Sequence, residues 1–280
     1  MAKKVHLIII DGQNDFCSDP NNPIPGAPPG TLYVKGADQD MNVRLPKLID
    51  RIGNGFTDIH ATLDCHHEVD IAHPIFWVDK NGQHPAPFTI ISAKDVETGK
   101  WMTTVSDPAI RQRGLEYVQK LAANKRYPLC IWAVHCRIST PGCNIVPNLV
   151  AALYKWETRC MGTVDFLVKG SNPFTEHYSA VKADVPDDQD PSTRINSKFI
   201  ETLQEADELV WAGEALDFCL RNTFLDVIQE FGVDNLKKFV LLVDATSSVK
   251  VPGMETVGDD FIRDMVAKGM RTATTQSYHV

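Results

Sequence analysis

The sequence lacks any apolar run long enough to span a bilayer, and its start, "MAKKVHLIIIDG", reaches an acid at Asp11 before the apolar stretch could serve as a signal core. A membrane-spanning or secreted protein is therefore not expected, and a cytoplasmic one is. It also lacks a lysine- or arginine-rich cluster, and the net charge is -8, so no surface for nucleic acid or for an anionic membrane is foreseen. The seven cysteines show no CxxC spacing, which argues against both a disulfide framework and a cysteine-based zinc site. They read as reduced thiols, with Cys130, Cys143 and Cys160 as core filler. No internal repeat and no low-complexity tract is present, which leaves out solenoids and arrays.

What is present is an alternation of short apolar runs with helical patterns. "VHLIIID" ends at Asp11, "DIHATLD" at Asp64, "LCIWAVHC" at Cys136, "ELVWAGEA" at Ala215 and "FVLLVDA" at Ala245. "RTATTQ" near the end is a candidate sixth strand. Their near-continuous apolar character predicts strands covered on both faces. Helices are predicted in "MNVRLPKLIDRI", in "DPAIRQRGLEYVQKLAAN" with Asp107 as cap and Pro108 in the first turn, in "CLRNTFLDVIQEFG" ending at Gly232, and in "VGDDFIRDMVAKG". The expected fold class is α/β: a three-layer α/β/α arrangement around a mostly parallel, Rossmann-like sheet of about six strands. Such sheets bind ligands at the carboxyl ends of their strands. One domain over residues 1–280 is expected, with loop insertions at about 17–36, 74–128 and 181–196. The stretch "ADVPDDQDPSTRINS" within the last of these is polar enough to predict a mobile loop.

The chemistry-bearing residues collect at the predicted strand ends. Asp11, just past an apolar strand, is placed either as a partly desolvated base or as an ordinary turn-capping acid. "LDCHHEVDIAH" supplies Asp64, His66, His67 and His73, and His135 closes the third predicted strand. One carboxylate with two or three imidazoles suits zinc, iron(II) or manganese, although clustering among nine histidines also occurs without a metal. Strand alternation points Asp64 and His66 the same way and turns His67 outward, so His67 is excluded. Lys169 in "DFLVKGSNPF" is either a partner for a buried anion or a solvated loop lysine. Cys219 follows the corner "GEALDFC", in the first turn of a predicted helix, where the helix dipole favours a thiolate and free amides can receive an oxyanion. The plainer reading makes it a small buried hydrophobe.

Taken in order, these stretches resemble the isochorismatase-like cysteine hydrolases and, within them, the nicotinamidases. "DGQNDF" is similar to the family's D-x-Q-N-D-F, "ATLDCHH" to T-x-D-x-H, and "WAVHC" to W-P-x-H-C. "VKGSNPFTEHYSAV" is similar to KG…YSAF, and "GEALDFCLRNT" to G-x-A-T-D-x-C-V-x-x-T. The resemblance implies the isochorismatase-like fold, with Asp11 as general base, Lys169 as its electrostatic partner and Cys219 as nucleophile. It implies one divalent metal ion, zinc first with iron or manganese as alternatives, held by Asp64, His66, His73 and His135. Phe16 and Trp132 match positions that sandwich a pyridine ring. A cis peptide would fall at Glu214–Ala215, with the Ala215 and Cys219 amides as oxyanion hole and Ala215 against the substrate.

The function expected on this basis is metal-assisted hydrolysis of a small amide, nicotinamide to nicotinate and ammonia, through a thioester, by a homo-oligomeric enzyme of pyridine-nucleotide salvage. The alternatives are a cysteine hydrolase for another amide or carbamoyl compound, and a non-catalytic binding protein on the same fold. Glu214 and Leu216, which stand where the family has an apolar residue and a threonine, favour the alternatives.

Overall fold

The computed structural model describes residues 3–124 and 127–280. Its centre is a six-stranded sheet in which every pairing is parallel. The strands are β1 (Val5–Ile10), β2 (Asp58–Asp64), β3 (Asp165–Lys169), β4 (Glu208–Gly213), β5 (Phe239–Leu242) and β6 (Arg271–Ala273), in the spatial order β6-β5-β4-β1-β2-β3. β1 and β4 are buried along their whole length, as strands covered on both faces must be.

The main helices are α1 (Leu45–Ile52), α2 (Pro108–Asn124), α3 (Pro147–Cys160), α4 (Ser197–Gln204), α5 (Arg221–Phe231) and α6 (Val257–Ala267). α1 and α3 pack on each other, as do α4 and α5, and the usual right-handed crossover would set the two groups on opposite faces of the sheet. The core of the second layer is aromatic: Trp211 of β4 stacks on Phe239 at 5.8 Å, and Phe224 of α5 meets Phe261 of α6 at 5.2 Å. The architecture is the expected three-layer α/β/α one. Among the described residues no helix is long and apolar enough to cross a membrane.

Four expectations need correction. The third predicted strand, "LCIWAVHC", does not enter the sheet; only Leu129–Cys130 is extended, paired antiparallel with Ile90–Ile91, and residues 131–136 run as irregular chain. Its place beside β2 is taken by β3, an edge strand whose Phe166 and Val168 face outward. An apolar run reports burial, and here Ile131, Trp132 and Cys136 are buried beneath loops rather than between helices.

The stretch "ADVPDDQDPSTRINS" is not a free loop, since Asp187 pairs with Arg113 at 2.6 Å and Asn172 reaches both Asp187 and Asp190. Of the three cysteines expected in the core, only Cys130 is buried; Cys143 and Cys160 are half-buried. Finally, α3 and α4 were not foreseen.

Gly213 ends β4 at φ 116°, and a Cβ there would collide with the Ile10 backbone of β1. We expect Gly213→Ala to lower unfolding free energy by about 2 kcal/mol or more, because a left-handed alanine and a steric clash add. Urea denaturation checks this, and a change within about 0.5 kcal/mol would show that the two strands can part at no cost.

Candidate functional site

The sheet order reverses at β1, whose neighbours β4 and β2 leave in opposite directions, and a crevice opens beyond their carboxyl ends. Five strand ends deliver residues to it: Asp11 after β1, Asp64 of β2, Lys169 of β3, Glu214–Ala215 after β4, and the segment 245–249 after β5. Register does the fine placement, since Asp64 pairs with Lys169 and Ile10 with Gly213. Gly170, at φ 80°, lets the chain leave β3, where a Cβ would come within 2.6 Å of an Asp64 oxygen.

Lys169 is the hub. Its Nζ lies 2.9 Å from Asp11 Oδ2, 3.0 Å from Asp64 Oδ1 and 3.6 Å from Cys219 Sγ, and all four side chains are buried. Burial disfavours the ammonium, but Asp11 and Asp64 outweigh it and raise the Lys169 pKa well above the usual lysine value. For Asp11, burial pushes the carboxyl upward against the pull of Lys169, with Asp64 adding to the rise. Thr62, which the sequence reading did not single out, donates its hydroxyl to Asp11 Oδ1 and accepts the Asp11 amide.

Cys219 stands at the mouth of α5, beside Lys169. A π-helical turn over Leu216–Leu220 precedes α5, and burial raises the thiol well above its ordinary pKa; Lys169 pulls it down, while Asp11 and Asp64 oppose. Burial therefore favours the thiol over the thiolate, and a base beside it is needed to take the proton.

The donor set for a metal is assembled alongside. The ligand atoms of His66, His73 and His135 lie within 4.8 Å of one another, and all three residues are buried. Asp64 Oδ2 is 3.0 Å from His66 Nε2 and 3.4 Å from His135 Nε2, spacings that ligands of one ion share. The remaining nitrogens are engaged from behind: His66 Nδ1 with Asp70 Oδ2 at 2.9 Å, and His135 Nδ1 with the Ala133 carbonyl at 2.8 Å.

His73 Nδ1 is buried without a partner among the described residues, and burial followed by His135 and His66 lowers this imidazole to about 2. A neutral imidazole whose Nε2 lies 3.2 Å from His135 Nδ1, in a cluster with His66 and beside Asp64, belongs to a donor set that fits a divalent cation. His67 is exposed, as expected.

Phe16 and Trp132 do line a small cavity of about 30 Å³, together with Leu32, Asp64, His135, Glu176, Tyr178, Ala215, Phe218, Cys219 and Val249. Leu32 comes from the 17–36 insertion, which is stitched down by backbone bonds from Leu32 to Asp15 and from Val34 to Phe16. Phe88 of the 74–128 insertion stands edge-on to Trp132 at 5.9 Å. Glu176 was missed by the sequence reading, although it lies inside the quoted "VKGSNPFTEHYSAV". Burial, offset in part by His66, raises its carboxyl to about 8, which favours the protonated form. The Glu214–Ala215 peptide is cis. Among the described residues the Ala215 amide, which borders the cavity, has no acceptor.

Solved structures share this architecture along the whole chain. A nicotinamidase/pyrazinamidase from Acinetobacter baumannii aligns with a TM-score of 0.61 at 18% identity, covering 98% of this chain and 97% of that one. The yeast nicotinamidase bound to the inhibitor nicotinaldehyde gives 0.61 at 18%, covering 96% and 99%. A Pyrococcus horikoshii pyrazinamidase in complex with zinc gives 0.54 at 20%, covering 97% and 99%. The chain has the nicotinamidase fold. No family model matches the sequence, and no curated protein does.

Calorimetric titration of chelator-treated protein with zinc is expected to show one tight equivalent. His73→Ala and Asp70→Asn should each weaken it by about 10- to 100-fold. Unchanged affinity in both variants would place the ion elsewhere.

Proposed function

We propose that the protein is a metal-assisted cysteine amidohydrolase and that its substrate is nicotinamide, converted to nicotinate and ammonia. The observation that carries this reading is the meeting of Asp11, Lys169 and Cys219 beside a three-histidine cluster at one small, largely apolar cavity. The fold shared with nicotinamidases supports it. A thiol kept protonated by burial, with a buried carboxylate of raised pKa sharing the same ammonium, suits general-base activation rather than a standing thiolate.

In this mechanism Asp11 takes the Cys219 proton as Sγ attacks the carboxamide carbon. The amides of Ala215 and Cys219 receive the oxygen that becomes negative, in a site from which Leu32, Phe16 and Trp132 exclude water. Asp11 then returns its proton to the amide nitrogen, the C–N bond breaks, and ammonia leaves a thioester on Cys219. A water molecule, deprotonated by Asp11, adds to the thioester carbonyl; the C–S bond breaks, the proton passes back to the sulfur, and the carboxylic acid departs.

Lys169 stays charged throughout and keeps Asp11 an acceptor when substrate arrives. Phe16 and Trp132 would hold the ring, and the protonated Glu176 offers a hydrogen-bond donor at its edge. A divalent ion held by Asp64, His66, His73 and His135 would supply a Lewis acid for a ring nitrogen or for a bound water.

Ammonia release from a panel of carboxamides, nicotinamide included, tests the reading after reconstitution with zinc, iron(II) or manganese. We expect nicotinamide to be hydrolysed and Cys219→Ala to lose turnover by at least about 10⁴-fold with its melting temperature retained. Turnover at the normal rate without the sulfur would end the proposal. Chelation should abolish activity, and the same ions should restore it.

A further inference from the structure

Behind the corner that carries Ala215 and Cys219 lies a second cluster of acids that the mechanism does not use. Glu214 is fully buried, and so nearly is Asp40, in the helical turn before α1. Glu214 Oε2 accepts the Ser247 amide at 2.9 Å, whereas Oε1 meets no donor among the described residues. Asp40 Oδ1 accepts from Arg44 at 2.6 Å and Oδ2 from the Ser247 hydroxyl at 2.6 Å, so one residue, Ser247, joins the two carboxyls, one through its amide and the other through its hydroxyl.

The other ionisable groups facing Glu214 are Asp217 in the next turn and the Cys17 thiol from the short helix Asn14–Cys17. Lys250 acts on Asp217 from the far side. One half-exposed guanidinium is thus set against two buried carboxyls. Two negative charges there would repel in a poorly solvated space, and a single proton between them removes the conflict while giving Oε1 a role as donor.

We infer that Glu214 holds a proton and donates it to the Asp40 carboxylate, and that this buried acid pair positions the corner bearing the Ala215 and Cys219 amides. The pair works by fastening three segments to one another. Ser247 bonds to both acids and accepts the Leu216 amide at its carbonyl, at 2.8 Å. Next to it, Asp217 receives the amides of Val249, a cavity-lining residue, and Lys250. Glu214 is therefore a positioning residue: it touches no substrate but holds the turn whose amides face the reacting carbonyl. Burial, with Asp40 adding to it, raises the Glu214 acid well above the ordinary glutamate value. A group with a raised folded pKa stabilises most below its unfolded value, and that stability drains away as pH rises toward the folded one.

The positioning role rests on the amidohydrolase reading, but the shared proton can be tested apart from it. Melting temperature is measured from about pH 5 to about pH 9 for the wild type, Glu214→Gln and Glu214→Leu. The glutamine amide donates to Asp40 and its carbonyl accepts from Ser247 without needing a proton. The fall in stability with rising pH should therefore be shallower in Glu214→Gln than in the wild type, and equal slopes would overturn the shared proton.

In ammonia-release assays Glu214→Leu should lower kcat by about 10-fold or more with KM within about twofold, and Glu214→Gln should recover most of that loss. A leucine variant with wild-type kcat, or a glutamine variant as impaired as the leucine one, would overturn the positioning role. A wild-type protein that hydrolyses no carboxamide would instead sink the functional reading, leaving the melting curves to decide the proton.

Discussion

The site depends on one buried ammonium. Lys169 lies out of water, which is costly for a cation unless anions surround it, and the ends of β1 and β2 supply Asp11 and Asp64 at 2.9 and 3.0 Å. The dependence is mutual, because neither carboxylate could stay charged at that depth alone. From this arrangement follows the availability of Asp11 as an acceptor beside the Cys219 sulfur, which Lys169 also reaches at 3.6 Å. It also ties the sheet's edge strand to its centre: β3 is short and exposes Phe166 and Val168, yet its last residue is locked to Asp64.

Around that hub the chain spends its irregular segments on enclosure. The 17–36 insertion lays Leu32 over the cavity, the stretch 131–136 brings in Trp132 and His135, and residues 170–178 bring Glu176 and Tyr178. Each is fastened by particular bonds: the buried Asp15 carboxylate accepts the Cys136 amide at 2.6 Å, and Trp132 donates to the Tyr178 hydroxyl at 3.0 Å. Loops held this way can be as exact in placement as strands, since their polar groups have the same obligation to be paired. The cavity lining thus draws on both classes of element, with Leu32, Trp132, His135, Glu176 and Tyr178 from irregular segments and Asp64 and Ala215 from strand ends.

Much of this was legible in the sequence because strand ends concentrate chemistry. The alternation of apolar runs and helical patterns led to the α/β/α fold, and the Asp64-x-His66 spacing correctly put both side chains on one side with His67 outside. His73 and His135 join the cluster despite the long connection between them. The failures have physical causes.

"LCIWAVHC" is as apolar as a central strand, but hydrophobicity does not name the partner, and loops cover it instead. "DFLVK" forms β3 without a strand signature, because its exposed Phe166 and Val168 are apolar and so give no alternation with polar residues. In α3 the buried set Leu149, Ala152, Leu153 and Trp156 does follow helical spacing, with Pro147 at the start, so that signal was there to be read. Thr62 opens the T-x-D-x-H stretch without a role that spacing could assign, and Glu176 carries no spacing signature, because both act through burial and contact with residues far away in sequence. At Cys219 the helix-dipole argument for a thiolate is local, while the desolvation that acts against it is tertiary.

The most direct test of the account is a pair of unfolding titrations at neutral pH, one on Lys169→Met and one on Lys169→Met with Asp11→Asn. Removing the ammonium alone should cost about 3–5 kcal/mol, because buried carboxylates lose their partner, and removing the Asp11 charge as well should return a substantial part of that loss. A single variant as stable as the wild type, or a double variant less stable than the single one, would contradict the claim that this ion cluster organises the site.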